Sequence, residues 1–188
     1  MKKYNEPGNS HFVTFKTYQN YPFFKEEKCC LILLEELNFY RNKMGLQIYG
    51  YVILPDHVHC IIYFEDTKLT ISKIIQSIKG SSARRIIDLF SCLGSQEHLL
   101  LARKDSAEQM LRATPMGHRK NLKYRIWQPG FYDFNIYTTK KFDEKLKYIH
   151  DNPIKHDLTD DISTYKYCSW RNYELNDHSI FKIDYPEN

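Results

Sequence analysis

The chain has no run of about 18 uninterrupted apolar residues, so a membrane-crossing helix is not expected from it. The lead-in MKKYNEPGNSHF carries two lysines with no apolar segment behind them, which excludes a secretory signal and points to a soluble, unexported, cytoplasmic protein. Cysteine is sparse: five residues, an odd number, with no C-x-x-C pair, so neither a disulfide framework nor a zinc knuckle is expected and a reducing compartment fits. Charge of one sign is also lacking. Twenty-seven Lys and Arg against 23 Asp and Glu leave a formal +4, which permits nucleic-acid binding without diagnosing it. Glycine is scarce too, with seven residues against 15 tyrosines, a balance that favours a sheet-rich globular fold.

At 188 residues the chain is expected to form a single domain. The alternation in HFVTFKTY (11–18) predicts a strand, and residues 23–43 carry Cys30, Leu33, Leu34, Leu37 and Tyr40 at the spacing of an amphipathic helix that Gly45 ends. LQIYGYVIL (46–54) and HVHCIIYF (57–64) read as antiparallel strands joined by a turn at Pro55-Asp56. A second helix is expected over 69–90, with Gly80-Ser81-Ser82 as a weak point and Lys73, Lys79, Arg84 and Arg85 on its exposed side. Residues 91–122 lack periodicity and are expected to be a flexible insertion. Strand-like composition returns over 124–137 around Pro129-Gly130, and a helix over 138–153 is capped by Thr138 or Thr139 and stopped by Pro153. The order predicts an α+β fold, a ferredoxin-like split βαβ arrangement: an antiparallel sheet with helices on one face, then a C-terminal helix and tail.

The stretch LPDHVHCII holds the first chemistry. In a strand His57 and His59 point to one face while Val58 and Cys60 point to the other. Two imidazoles so placed can grip a divalent cation, or they can be solvent-facing polar positions. In the last helix Phe142, Leu146 and Ile149 form a core stripe, and Lys141, Lys145, Tyr148 and Asn152 line the stripe beside it. A metal held by His57, His59 and the Asn152 amide oxygen would lie one helical turn from the Tyr148 hydroxyl. A tyrosine there can attack a phosphodiester and keep the phosphate as an ester, with Lys141 or Lys145 adding to the field. The bland alternative is an ordinary helix with a boundary tyrosine. Trp127, Phe131 and Tyr132 are candidate base-stacking rings, or core aromatics. Lys79, Arg84 and Arg85 are candidate phosphate contacts, or a solvated helix face. Tyr165 and Tyr167 are fallback nucleophiles, and His11, His150, His156 and His178 have no evident partner in the sequence.

Three ordered segments, Leu54 to His59, Ile126 to Asp133 (IWQPGFYD) and Lys147 to Lys155 (KYIHDNPIK), resemble the IS200-type single-tyrosine transposases, and more closely the REP-associated tyrosine transposases. The likeness runs from the Val13–Tyr18 strand to the tail YKYCSWR (165–171), apart from 91–122. It implies an HUH nuclease in which His57 and His59 hold Mg²⁺ or Mn²⁺, Asn152 stands at the third ligand position, and Tyr148 cleaves single-stranded, hairpin-bearing DNA to a 5′-phosphotyrosine and a free 3′-OH. Asp56 departs from the asparagine common in that family, and 91–122 lengthens a usually shorter connection. Two other classes stay open: a non-catalytic nucleic-acid-binding module on the same fold, and a metallohydrolase that uses water. A monomer is expected over a homodimer, because a tail rich in Tyr165, Tyr167, Trp170 and Tyr173 can cover its own sheet edge.

Overall fold

Leu54 donates its backbone N–H to the His57 carbonyl at 2.8 Å, closing the expected turn at Pro55-Asp56 and folding two strands into a hairpin. These are β2 (Gln47–Ile53) and β3 (His57–Tyr63) of a computed structural model that describes residues 8–92 and 125–186. The other elements are β1 (Ser10–Lys16), α1 (Glu27–Met44), α2 (Ile71–Cys92), β4 (Tyr132–Ile136), α3 (Thr139–Lys155) and the short α4 (Trp170–Glu174). The sheet order is β2-β3-β1-β4 with every pairing antiparallel, the split βαβ arrangement expected from the order of elements. The expected insertion at 91–122 lies outside the described residues, except that its first two end α2.

The alternation of each strand divides the core into two layers. On one face Val13, Phe15, Ile48, Val58, Cys60 and Ile62 pack against α1 and α2. On the other, Phe12, Tyr49, Val52, Ile61 and Ile136 meet Phe142, Leu146 and Ile149 of α3. Among the described residues no helix is long and apolar enough to cross a membrane.

Three boundaries depart from the sequence reading. Gly80-Ser81-Ser82 does not interrupt α2: the buried Ser82 hydroxyl donates to the Ile78 carbonyl at 2.7 Å and accepts from the Trp127 indole at 3.0 Å, so a polar residue becomes a packed joint within an unbroken helix. Of the strand-like 124–137 segment, Tyr132–Ile136 forms β4, while Ile126–Gln128 makes only an isolated antiparallel bridge to Thr17 at the end of β1, and Gly130 turns the chain between them at φ +77°. Thr138 caps α3, its hydroxyl accepting from the Lys141 N–H at 3.2 Å, but Pro153 does not stop that helix. A proline removes one donor, and the turn continues because the His156 N–H still reaches the Asn152 carbonyl at 3.0 Å.

The tail covers the outer edge of β2. The backbone N–H of Ile53 donates to Tyr167, those of Ser169 and Asp184 donate to Tyr51 and Ile48, and the Tyr173 and Tyr165 hydroxyls donate to the carbonyls of Tyr49 and Ile53. Edge groups that could pair with a second chain are thereby used internally.

Candidate active site

His57 and His59 open β3 and face α3, the side opposite α1 and α2. Register places Lys16 across from His57 and Thr14 across from His59. Each imidazole is held through Nδ1. His57 Nδ1 lies 2.6 Å from an Asp56 carboxylate oxygen, which can only accept, so the proton is on Nδ1. His59 Nδ1 lies 2.7 Å from Thr14 Oγ1. Both rings are buried, and His59 Nε2 is a buried nitrogen without a hydrogen-bond partner. The two rings stand nearly perpendicular with centroids 5.0 Å apart. Burial holds the His59 pKa down at about 3, reinforced by the neighbouring His57. Burial also lowers that of His57, against the pull of Asp56. Both are neutral imidazoles at neutral pH, the form that ligates metals.

The helix above comes close because of a glycine. A Cβ on Gly50 would stand 2.9 Å from a Leu146 methyl and 3.7 Å from an Ile149 methyl, so a side chain there would push the Leu146 methyl aside, and the glycine lets α3 pack against β2 without that shift. On the descending stripe of α3, Tyr148 lies edge-on to His59 at 5.2 Å between centroids, and His156, two turns on, lies 5.1 Å from His57. Asn152 is halfway between them in sequence and 1% exposed. Its Nδ2 donates to the Tyr148 carbonyl at 2.6 Å, which leaves Oδ1 as the amide's accepting atom. Tyr148 itself is 40% exposed.

Whether this donor set suits a metal can be judged from the atoms. Two Nε2 atoms are left by rings anchored at Nδ1, one of them buried and orphaned, and an amide oxygen is oriented by its own hydrogen bond. A partner on the far ring nitrogen fixes the tautomer and orientation of a histidine ligand in this way, and nitrogen with amide oxygen suits divalent cations of intermediate hardness. Among the described residues no three His, Cys, Asp or Glu side chains form a group that could hold a metal, so the expected ligand set relies on an amide oxygen beside the two histidines. The donor set fits the divalent cation expected from sequence.

Cations ring the same face. Lys145 Nζ lies 5.1 Å from the Phe12 ring centroid and 4.7 Å from that of Phe134. Lys155 Nζ lies 5.2 Å from the Tyr148 ring and 3.5 Å from Asp151. Lys16 is exposed opposite His57. The sequence reading found Lys145 but missed Lys16, Lys155 and His156, and it gave no role to Thr14.

Other expected contacts have work elsewhere. Lys141 pairs with Glu144 at 2.7 Å on the exposed side of α3. Lys79, Arg84 and Arg85 sit on α2, across the sheet from the histidines: Lys79 Nζ donates to the carbonyls of Gln128 and Gly130, and Arg85 is bonded to Glu35 and Glu36. Trp127 is 6% exposed and packs on Phe15 and Phe24 with its indole N–H on Ser82, so it offers no face to a base. Phe131 packs against the core on the α1 and α2 side. The Tyr165 and Tyr167 hydroxyls donate to Ile53 and Glu27, and burial pushes both pKa values up, which suits structure better than attack. Three of the histidines without evident partners have them: His11 with Asp133, His150 with Ser169 and His178 with Asn172.

The sequence profile of the family described as "Transposase IS200 like" matches residues 7–102, half of the chain. The chain belongs to the IS200-like transposase family. The matched part of this IS200-like chain carries Thr14, Asp56, His57 and His59, whereas Tyr148 and Asn152 lie beyond it. The structure of a REP-associated tyrosine transposase bound to a REP hairpin aligns with a TM-score of 0.66 and 18% identity, over 100% of this chain and 91% of that one. That is a likeness of fold. A transposase candidate from Deinococcus radiodurans R1 aligns with a TM-score of 0.48 and 18% identity, over 80% of this chain and 97% of that one. A comparison with curated protein sequences returns no match.

Proposed function

We propose that this IS200-like transposase cuts single-stranded DNA beside a hairpin, with Tyr148 as nucleophile, and keeps the 5′ phosphate as a phosphotyrosine for later rejoining. The observation that carries the reading is the pairing of a solvent-accessible phenol with His59, an imidazole whose Nε2 is buried, neutral and unpartnered. In the step itself the Tyr148 oxygen bonds to phosphorus as the P–O3′ bond breaks, and the proton released by the phenol is balanced by the one gained at the leaving 3′ oxygen. His57, His59 and Asn152 would hold Mg²⁺ or Mn²⁺, which when bound supplies positive charge to the scissile phosphate. Asp56 and Thr14 fix the two rings through Nδ1, and Asn152 ties its amide to the carbonyl of the nucleophile's own residue. Lys16, Lys145 and Lys155 attract the phosphate backbone to this face.

The chain acts as one domain and as a monomer, with all four residues contributed in cis. Support comes from the tail hydrogen bonds along β2, which close the edge through which two sheets could join. Incubation with labelled hairpin DNA and Mg²⁺ is expected to give a denaturation-resistant adduct that Tyr148→Phe abolishes. An undiminished adduct in that variant would move the role to another residue. DNA binding without adduct or cleavage would favour the non-catalytic module, and release of both ends without adduct would favour a hydrolase. Light scattering is expected to report one chain, and recovered cleavage on mixing Tyr148→Phe with His57→Ala chains would mean sites shared between subunits.

A further inference from the structure

We infer that Tyr132 and Phe134, on the outer strand β4, form with Lys145 a stacking site for an unpaired base of the strand held at Tyr148, an inference that rests on the reading of Tyr148 as nucleophile. Alternation along β4 turns Tyr132, Phe134 and Ile136 toward the face that carries α3. Ile136 is buried beneath the helix, but Tyr132 lies beyond its cover and is 41% exposed. A large ring at that position adds little to the core.

What surrounds it points to DNA. Phe12, itself buried, is the floor shared by this patch and the active site: Tyr132 meets its ring edge-on at 6.3 Å, Tyr148 meets it edge-on at 5.7 Å, and His59 stacks on it at 5.4 Å. The two exposed phenols are therefore separated by the width of one side chain. Lys145, three residues before Tyr148 on α3, holds its ammonium over both the Phe12 and the Phe134 rings. A cation between flat apolar rings matches a nucleotide, in which a charged phosphate alternates with a flat base. The patch is continuous with the proposed nucleophile and ends at Tyr132 on the outer strand, so it extends the path of a strand past the cleaved bond. The contacts are to ring faces and a phosphate, which suits single-stranded DNA of any sequence.

The test uses the full chain without added metal, so that binding is read apart from cleavage. Fluorescein-labelled oligo-dT measures affinity by anisotropy, and the same oligonucleotide with 5-iodouracil substituted for thymine reports by photocrosslinking which side chains lie against a base. Tyr132→Phe is expected to bind within about twofold of the parent and Tyr132→Ala roughly tenfold more weakly, the loss of one base–aromatic stack. The crosslinked peptide is expected to contain Tyr132 or Phe134. Tyr132→Leu keeps strand-forming bulk without a ring, and it is expected to bind as weakly as the alanine variant. Unchanged affinity in both the Ala and Leu variants, or crosslinks confined to other peptides, would overturn the stacking site. The Tyr148→Phe adduct assay is independent of these readouts: a persistent adduct there sinks the nucleophile reading, whereas a lost stack at Tyr132 does not.

Discussion

Thr14→Val separates the support of a ligand from the ligand itself. Valine has the shape of threonine and is at least as good a strand former, so the change leaves no cavity and costs nothing in backbone preference. What it removes is the hydroxyl 2.7 Å from His59 Nδ1. His59 is 3% exposed and its Nε2 already has no hydrogen-bond partner, so in the variant neither ring nitrogen is satisfied. Leaving one such buried group unpaired costs about 1–3 kcal/mol. For a chain of this length each kcal/mol corresponds to about 2–4 °C in melting temperature. The metal-free variant is thus expected to melt several degrees below the parent, and Thr14→Ser, which keeps the hydroxyl, close to it. A second effect follows from the tautomer. A cation at Nε2 requires the His59 proton to be on Nδ1, which Thr14 Oγ1 accepts, so Mn²⁺ affinity by calorimetry is expected to fall about 10–100-fold in Thr14→Val. Parent-like melting together with parent-like Mn²⁺ affinity would refute the role given to Thr14, and lowered melting with unchanged affinity would refute the ligand role of His59.

Stability should fall in mild acid. Burial holds His59 at about 3 and His150 at about 4, well below a free imidazole near 6.5. The unfolded chain therefore binds protons that the folded chain refuses. Their contribution is complete above about pH 6.5 and is lost as pH falls toward 4, at about 2–3 kcal/mol per pH unit for the pair; a urea midpoint that stays flat from pH 7 to 5 would contradict it. Arg85→Ala is expected to lower stability by on the order of 1 kcal/mol, because it strips the ion pair from Glu36, whose side chain is 7% exposed. Its affinity for single-stranded DNA should stay within about twofold of the parent, and a selective loss of DNA binding at full stability would restore Arg85 to the nucleic-acid surface.

The parts of the site that could be read from sequence are those set by local periodicity. The two-residue spacing of His57 and His59 fixed their common face, and the four-residue spacing of Tyr148 and Asn152 fixed theirs, whatever the rest of the chain did. Thr14 and Lys16 depend instead on how β1 pairs with β3, a choice made 45 residues away in the case of Thr14 and His59. No local pattern records that register. The charged face of α2 is ambiguous for a related reason: a row of Lys and Arg reads alike whether it meets phosphates or, as Arg85 does, a glutamate on a neighbouring helix. The face of Trp127 was equally ambiguous, since a strand-like aromatic stretch does not say which of its rings will be the lid of the core.

The last helix runs two residues past Pro153, to Lys155, with His156 as its cap. Proline inside a helix sacrifices a hydrogen bond and crowds the preceding turn, so by sequence Pro153 is expected to end the last helix. The sacrifice is smallest where little helix remains, and here the following N–H groups find carbonyls anyway, His156 on Asn152 and Leu158 on Pro153. The two further residues and the cap bond keep residue 156 on the stripe of Tyr148 and Asn152, and so set a third imidazole beside His57. Asn152 immediately precedes Pro153 and is buried, and its side chain donates to the Tyr148 carbonyl, which couples the orientation of the proposed third donor to the backbone of the proposed nucleophile. Within the segment Tyr148-Ile149-His150-Asp151-Asn152-Pro153, Ile149 anchors the helix in the core, Gly50 gives it room against the sheet, and the proposed nucleophile is exposed one turn before the buried proposed ligand.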